Sequence, residues 1–86
     1  IGWELGQYGI TANAIQAGIT PTRALTKITD RWEVWIESTK KRNPMRRTTM
    51  PEDIAGTISL LLKPEADFIN CSTIYCDGGE HRSGTI

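Results

Sequence analysis

Two short apolar segments bracket this chain and constrain its fold more than any other feature. Residues 10–16, Ile-Thr-Ala-Asn-Ala-Ile-Gln, and residues 72–76, Ser-Thr-Ile-Tyr-Cys, carry β-branched residues and no charge. That composition suits strands buried in a sheet. Between them the pattern is helical. Two strands joined through helices form a parallel pair with a right-handed crossover. A two-stranded parallel sheet, however, covers neither its faces nor its edges. Such a chain needs either a close homodimer that pools its strands or further chain that completes the sheet.

Capping and breaker residues place the helices. Residues 3–9, Trp-Glu-Leu-Gly-Gln-Tyr-Gly, read as the closing turns of a helix, with Gly9 free to take the left-handed conformation. A chain that opens on a helix tail is expected to have more sequence before it. Ala17-Gly18 ends the first strand, and a loop then leads into a short helix over Arg23–Ile28. Asp30 and Glu33 resemble a capping box for the next helix. That helix sets Trp32, Trp35, Ile36 and Thr39 on one face and Lys40-Lys41-Arg42 in its last turn. Asn43-Pro44 stops it, because the residue before a proline disfavours helical geometry. Thr49 and Glu52 make a second capping box, with Pro51 in the first turn. Ile54, Ile58, Leu61 and Leu62 follow as an apolar stripe ended by Lys63-Pro64.

Composition narrows the function classes. With 86 residues, the chain holds one domain at most. Apolar content of 38% and charged content of 23% exclude a disordered chain. The formal net charge is zero, which gives no field to attract nucleic acid or a membrane. No apolar run approaches the length of a membrane span, and no export signal is visible. Two cysteines do not make a disulfide framework, so a reduced, cytoplasmic chain is expected.

Three segments in order carry a family resemblance: Gly9-Ile10-Thr11-Ala12-Asn13-Ala14-Ile15 through Gly18, then Pro51-Glu52-Asp53-Ile54-Ala55, then Thr73-Ile74-Tyr75-Cys76-Asp77-Gly78-Gly79. They resemble the C-terminal part of a short-chain dehydrogenase/reductase. Ala17-Gly18 and Asn43-Pro44-Met45-Arg46-Arg47-Thr48-Thr49 look like the enoyl-acyl-carrier-protein reductase branch, with the 3-oxoacyl reductases close by. The resemblance implies an α/β fold, the last portion of a Rossmann-like doubly wound parallel sheet. It makes residues 1–86 a single partial domain, with a substrate lid at about 22–42 and a C-terminal tail at 80–86. It further implies NAD or NADP as cofactor, with hydride transfer from NAD(P)H to an acyl thioester, as in fatty acid biosynthesis, with an acyl-carrier protein as a possible partner and a homo-oligomeric assembly. The cofactor-binding residues it implies are Gly18, Thr20 and Thr22. Ala17 stands where proline is usual and Thr20 where Ile or Val is usual.

The family's Gly-rich phosphate loop and catalytic Tyr-x-x-x-Lys have no counterpart in these residues. No residue here is therefore assigned a catalytic role, and no cofactor or reductase activity is expected of this chain alone. A free-standing, non-catalytic homo-oligomer derived from such a segment is the second reading.

Other features have plainer readings beside functional ones. Gly18 and Gly78 sit at the carboxyl ends of strands, where ligands bind in open α/β sheets, but turn glycines are common there. Five cations fall between Lys40 and Arg47; they read as a helix terminus and a solvated loop rather than a phosphate-binding patch. Cys71, Cys76 and His81 are too few and too widely spaced for zinc, and the cysteines are expected in the core. Trp32 and Trp35 read as core or dimer interface before acyl pocket. Glu37 and Lys41 form an i,i+4 pair typical of surface.

Overall fold

The computed structural model describes residues 1–82; the part of the C-terminal tail beyond Arg82 lies outside them. Two strands pair in parallel, β1 (Ala14–Ala17) and β2 (Thr73–Cys76), in the register Ala14–Thr73 through Ala17–Cys76. The crossover between them carries α2 (Arg23–Ile28), α3 (Trp32–Arg42) and α4 (Pro51–Leu61), and α1 (Gly2–Leu5) precedes β1.

The first strand is shorter than the expected segment 10–16, and it runs through Ala17 rather than breaking there. Its approach is zipped to the approach of β2 by asparagine side chains instead of by a regular ladder. Asn70 Oδ1 accepts from the Ala12 N–H at 3.0 Å, and Asn13 Oδ1 accepts from the Ser72 N–H at 3.0 Å. The Cys71 N–H donates to the Ala12 carbonyl at 3.0 Å. Cys71 itself has φ +57 and is exposed, so it lies outside the extended strand and outside the core expected for it. Gly9 does adopt the left-handed end expected of a helix terminus, at φ +76.

Helix α2 has the expected bounds, capped by Thr22, whose Oγ1 accepts from the Leu25 N–H at 3.4 Å. Helices α3 and α4 each start one residue later than the expected capping boxes place them. Helix α3 starts from Arg31 with no side-chain cap, and Thr29 Oγ1 instead accepts from the Arg31 N–H at 3.0 Å. Helix α4 starts from Met50, whose N–H donates to Asp53 Oδ2 at 2.8 Å. The Thr49 hydroxyl is drawn to the Cys76 carbonyl at 3.4 Å, a tertiary partner that local spacing does not reveal.

Burial is concentrated away from the strands. The buried apolar residues described are Leu25, Ile36 and Ala66, whereas Thr39, Asn43, Thr48, Thr49 and Asp77 are all buried polar groups. Strand β1 is mostly exposed, contrary to the buried strand expected from its composition. Ile58 and Leu60 on α4 and Leu62 just past its end are exposed too, as are Trp3 and Phe68. One cause accounts for all of these: two strands and one crossover leave apolar faces with nothing packed on them. The best-packed region is polar, and it sits at the carboxyl ends of both strands.

Candidate functional site

Three loops meet beyond those strand ends. Gly18 to Thr22 leaves β1 for α2, Asn43 to Met50 joins α3 to α4, and Asp77 to Arg82 follows β2. Between them lies a cleft of about 420 Å3 lined by Gly18, Ile19, Arg42, Tyr75, Glu80 and His81 among others. A second cleft of about 360 Å3, on the side of the α4 N-terminus, is lined by Arg47, Thr49, Asp53, Cys76 and Gly78. Asp77 lines both.

The loops close on one another through small residues. A Cβ on Gly18 would lie 2.6 Å from Thr49 Oγ1 and 3.1 Å from Asp77 Cβ, so only glycine lets the end of β1 reach this packing. Gly78 (φ +65) and Gly79 (φ +94) occupy the left-handed region and bring the chain against Asn43 and Pro44. Asn43, 2% exposed, accepts from the Met45 N–H at 2.9 Å and donates to the Arg47 carbonyl. Thr48 Oγ1 donates to the Ile19 carbonyl at 2.6 Å, tying the loop after β1 to the loop before α4.

Asp77 is 7% exposed and organises the third loop. It accepts from the backbone N–H groups of Gly79 and His81 at 3.0 Å each and lies 3.1 Å from His81 Nδ1. Burial opposes its ionisation, but the bonds from His81 and Gly79 outweigh that and hold its carboxyl below the ordinary range. The His81 ring stacks on Tyr75 with centroids 3.8 Å apart. At the other cleft, a bidentate pair with Arg47 at 2.7 and 3.0 Å, helped by the Met50 N–H, pulls the Asp53 carboxyl down to about 2.

Of the residues singled out in the sequence, Gly18 lines the larger cleft, and Thr20 and Thr22 follow on the same loop. Thr20 Oγ1 donates to the Gly18 carbonyl at 3.0 Å, and the Thr22 N–H donates to the Thr20 carbonyl at 2.8 Å. The N–H groups of Ile19 and Thr20 have no hydrogen-bond partner among the described residues. The Thr22 hydroxyl accepts from Leu25 and keeps its own proton to donate. These are the donors that the carboxamide and phosphate oxygens of a nicotinamide nucleotide require, so the loop fits that group chemically.

The cation run is largely spent within the chain: Lys40 pairs with Glu37, Arg42 with Glu80 and Arg47 with Asp53. The expected Glu37–Lys41 pairing is replaced by this Glu37–Lys40 contact. Cys76 is half-buried beside Thr57, whose Oγ1 is 3.3 Å from its sulfur. Among the described residues no His, Cys, Asp and Glu side chains group as a metal site. Trp32 is half-buried and Trp35 exposed, so Ile36 and Thr39 alone of that face are buried. Sequence reasoning missed Asn43, Asp77 and Glu80 as organisers. The signal available was Asp77 with His81 at i+4 across two glycines.

The profile of the enoyl-(acyl carrier protein) reductase family matches residues 1–81. This chain belongs to that family, within the short-chain dehydrogenases/reductases, and corresponds to the C-terminal segment of their fold. It is 33% identical over 81 residues to the enoyl-(acyl-carrier-protein) reductase (NADH) FabI of Bacillus cereus, covering 94% of this chain and 31% of that protein. It is 41% identical over 76 residues to the short-chain dehydrogenase/reductase eriH of Hericium erinaceus, covering 88% and 29% respectively. The crystal structure of a Bacillus cereus enoyl-acyl carrier protein reductase with NADP+ and indole naphthyridinone superposes with a TM-score of 0.89 at 32% identity, over 96% of this chain and 32% of that one. The chain thus spans about a third of the length of the relatives it matches. The parallel α/β architecture expected from the sequence is that of these Rossmann-fold reductases. None of the described helices is long and apolar enough to cross a membrane.

Proposed function

We propose that this chain supplies the nicotinamide-side loop and the substrate lid of an NAD(P)-dependent reductase of acyl thioesters, acting on enoyl or 3-oxo groups. The observation that carries this reading is the cleft at the carboxyl ends of β1 and β2, bordered by a loop with unspent donors at Ile19, Thr20 and Thr22. When bound, NAD(P)H supplies the hydride. The chain's own part is to hold and orient: Gly18 brings β1 up to the cleft, the N–H groups of Ile19 and Thr20 meet carbonyl or carboxamide oxygen, and the Thr22 hydroxyl donates to the anionic end. Residues 22–42 cover the substrate, delivered on an acyl-carrier protein. The proton donor belongs to parts of the fold outside these residues, so the segment by itself is inactive.

The Thr22 assignment has a direct test. In the full-length protein, Thr22→Ala weakens NAD(P)H binding by about tenfold or more, the scale of a lost hydrogen bond to a charged group. Thr22→Ser, which keeps both the cap and the donor, stays near the native affinity. Fluorescence titration of NADH measures both, and equal affinity for all three proteins overturns the assignment.

The exposed Ile58 and Leu60 on α4 and Leu62 just past its end, with Phe68 nearby in sequence, favour a second reading as a non-catalytic homo-oligomer. On that reading the midpoint of thermal unfolding of the 86-residue chain rises with protein concentration. A monomer without a cooperative transition sinks it.

A further inference from the structure

Residues 23–42 leave the body of the fold after Thr22 and rejoin it at Asn43. Within this segment Leu25, Ile36 and Thr39 are buried, and most of the other side chains are exposed. Its apolar hold on the remainder of the chain is slight. Two side-chain donors nevertheless leave α3 and converge on one carboxylate. Thr39 Oγ1 lies 2.9 and 3.1 Å from the two oxygens of Glu80, and Arg42 Nη2 donates to Glu80 at 2.7 Å. Thr39 is fully buried, and the Glu80 side chain is 15% exposed.

Glu80 is held ready for these bonds from below. Its N–H donates to the Asp77 carbonyl at 3.2 Å, and the Asp77 side chain ties down the N–H groups on either side of it, at Gly79 and His81. The last turn of α3 also favours an anion opposite its cation Arg42 only if that anion is fixed in place, because an exposed flexible pair contributes little. Thr39 removes that difficulty: a buried hydroxyl with a charged acceptor is a strong bond, and a costly one to leave unmade. Arg42 and Glu80 line the same cleft as Gly18 and Ile19, so this contact is part of the cleft wall.

We propose that Glu80 is a positioning residue that latches residues 23–42 over the cleft, with Thr39 and Arg42 as the two points of the catch. When the latch is open, α3 swings on Thr22 and Asn43 and the cleft loses a wall; when it is closed, a bound nucleotide is retained. The consequence for the nucleotide rests on the reading of the cleft proposed above, whereas the latch itself does not.

The test is hydrogen–deuterium exchange of the full-length protein without ligand, comparing the native protein with Glu80→Ala and Glu80→Gln. Glu80→Ala speeds exchange in residues 32–42 by about tenfold or more and leaves residues 51–61 unchanged. Glu80→Gln, whose amide oxygen still accepts from Thr39 but carries no charge for Arg42, falls between. Unchanged exchange in residues 32–42 overturns the latch, and so does acceleration spread evenly over α3 and α4. In parallel, stopped-flow displacement of NADH gives its dissociation rate, which rises several-fold in Glu80→Ala. An unchanged rate with accelerated exchange overturns the retention role. A native protein that binds no NADH counts against the proposed function alone, and the exchange result still decides the latch.

Discussion

Replacing Asp77 with alanine is expected to lower the stability of the protein by about 3 kcal/mol, measured by urea unfolding. The side chain is nearly buried and satisfies two backbone N–H groups and an imidazole nitrogen in the loop after β2. Truncation leaves those part-buried donors without their acceptor, and an unmade bond costs more than the net worth of a made one. Asp77→Asn, which retains one accepting oxygen, loses about half as much. A loss under about 1 kcal/mol for alanine would mean that the Gly78–Gly79 turn is held by its packing on Asn43 and Pro44 instead.

The same residue shares in the response to acid. Asp77 and Asp53 both titrate lower in the folded protein than in the unfolded chain, Asp53 from 3.8 to about 2. In that range the unfolded state binds more protons, so stability falls as the pH drops. The contribution is complete above the ordinary carboxylate value and is lost as the pH moves from about 4 toward 2. The native protein therefore shows a steeper loss of thermal stability over that interval than Asp77→Ala. Parallel profiles would remove Asp77 from the acid response.

Gly18→Val is the second large effect, a destabilisation of about 2–3 kcal/mol. No left-handed backbone is involved at this position; the constraint is space. The new Cβ falls 2.6 Å from Thr49 Oγ1, on a residue that is itself buried and bonded to the Cys76 carbonyl. Either Thr49 gives up that bond or the end of β1 moves away from β2. Thr49→Ala removes the colliding atom, so the double variant Gly18→Val/Thr49→Ala recovers a good part of the loss. The coupling in that double-mutant cycle is the decisive quantity. Strict additivity would mean that Gly18 is constrained by something other than Thr49.

The two variants separate what is local in this protein from what is not. Breakers that act on their own backbone were legible: Asn43-Pro44 after α3, Pro51 in the first turn of α4 and the Asp77-Gly78-Gly79 turn after β2. The parallel pairing of the strands was legible as well, because helices between two strands permit little else. Gly18 could be singled out from its place at the end of β1, where a turn glycine was the plainer explanation beside ligand approach. Its contact with Thr49 spans the crossover, and no local spacing encodes it.

The misplaced features have both local and tertiary causes. Asp30–Glu33 and Thr49–Glu52 have the right spacing for capping boxes, yet Thr29 and Asp53 take the bonds, and Thr49 turns to β2. The strand expected over residues 10–16 loses its first half to Asn13 and Asn70, which bond across to the opposite approach. Cys71 looked like core and is exposed, because its left-handed backbone starts the turn into β2. Thr49, Asn13 and Asn70 each bond to a partner brought close by folding, whereas the Thr29 and Asp53 bonds stay local.

By itself, then, the sequence determined the order of elements, the ends of the helices and the parallel pairing, since each depends on backbone preferences within a few residues or on chain connectivity. Tertiary structure alone decided which polar groups are buried together at the strand ends. Thr39 with Glu80, Thr48 with Ile19, and Gly18 with Thr49 and Asp77 meet only after the crossover brings three loops to one place. Side chains so far apart in the chain have no periodicity to announce them, and their bonds form only when water has been excluded from between the loops.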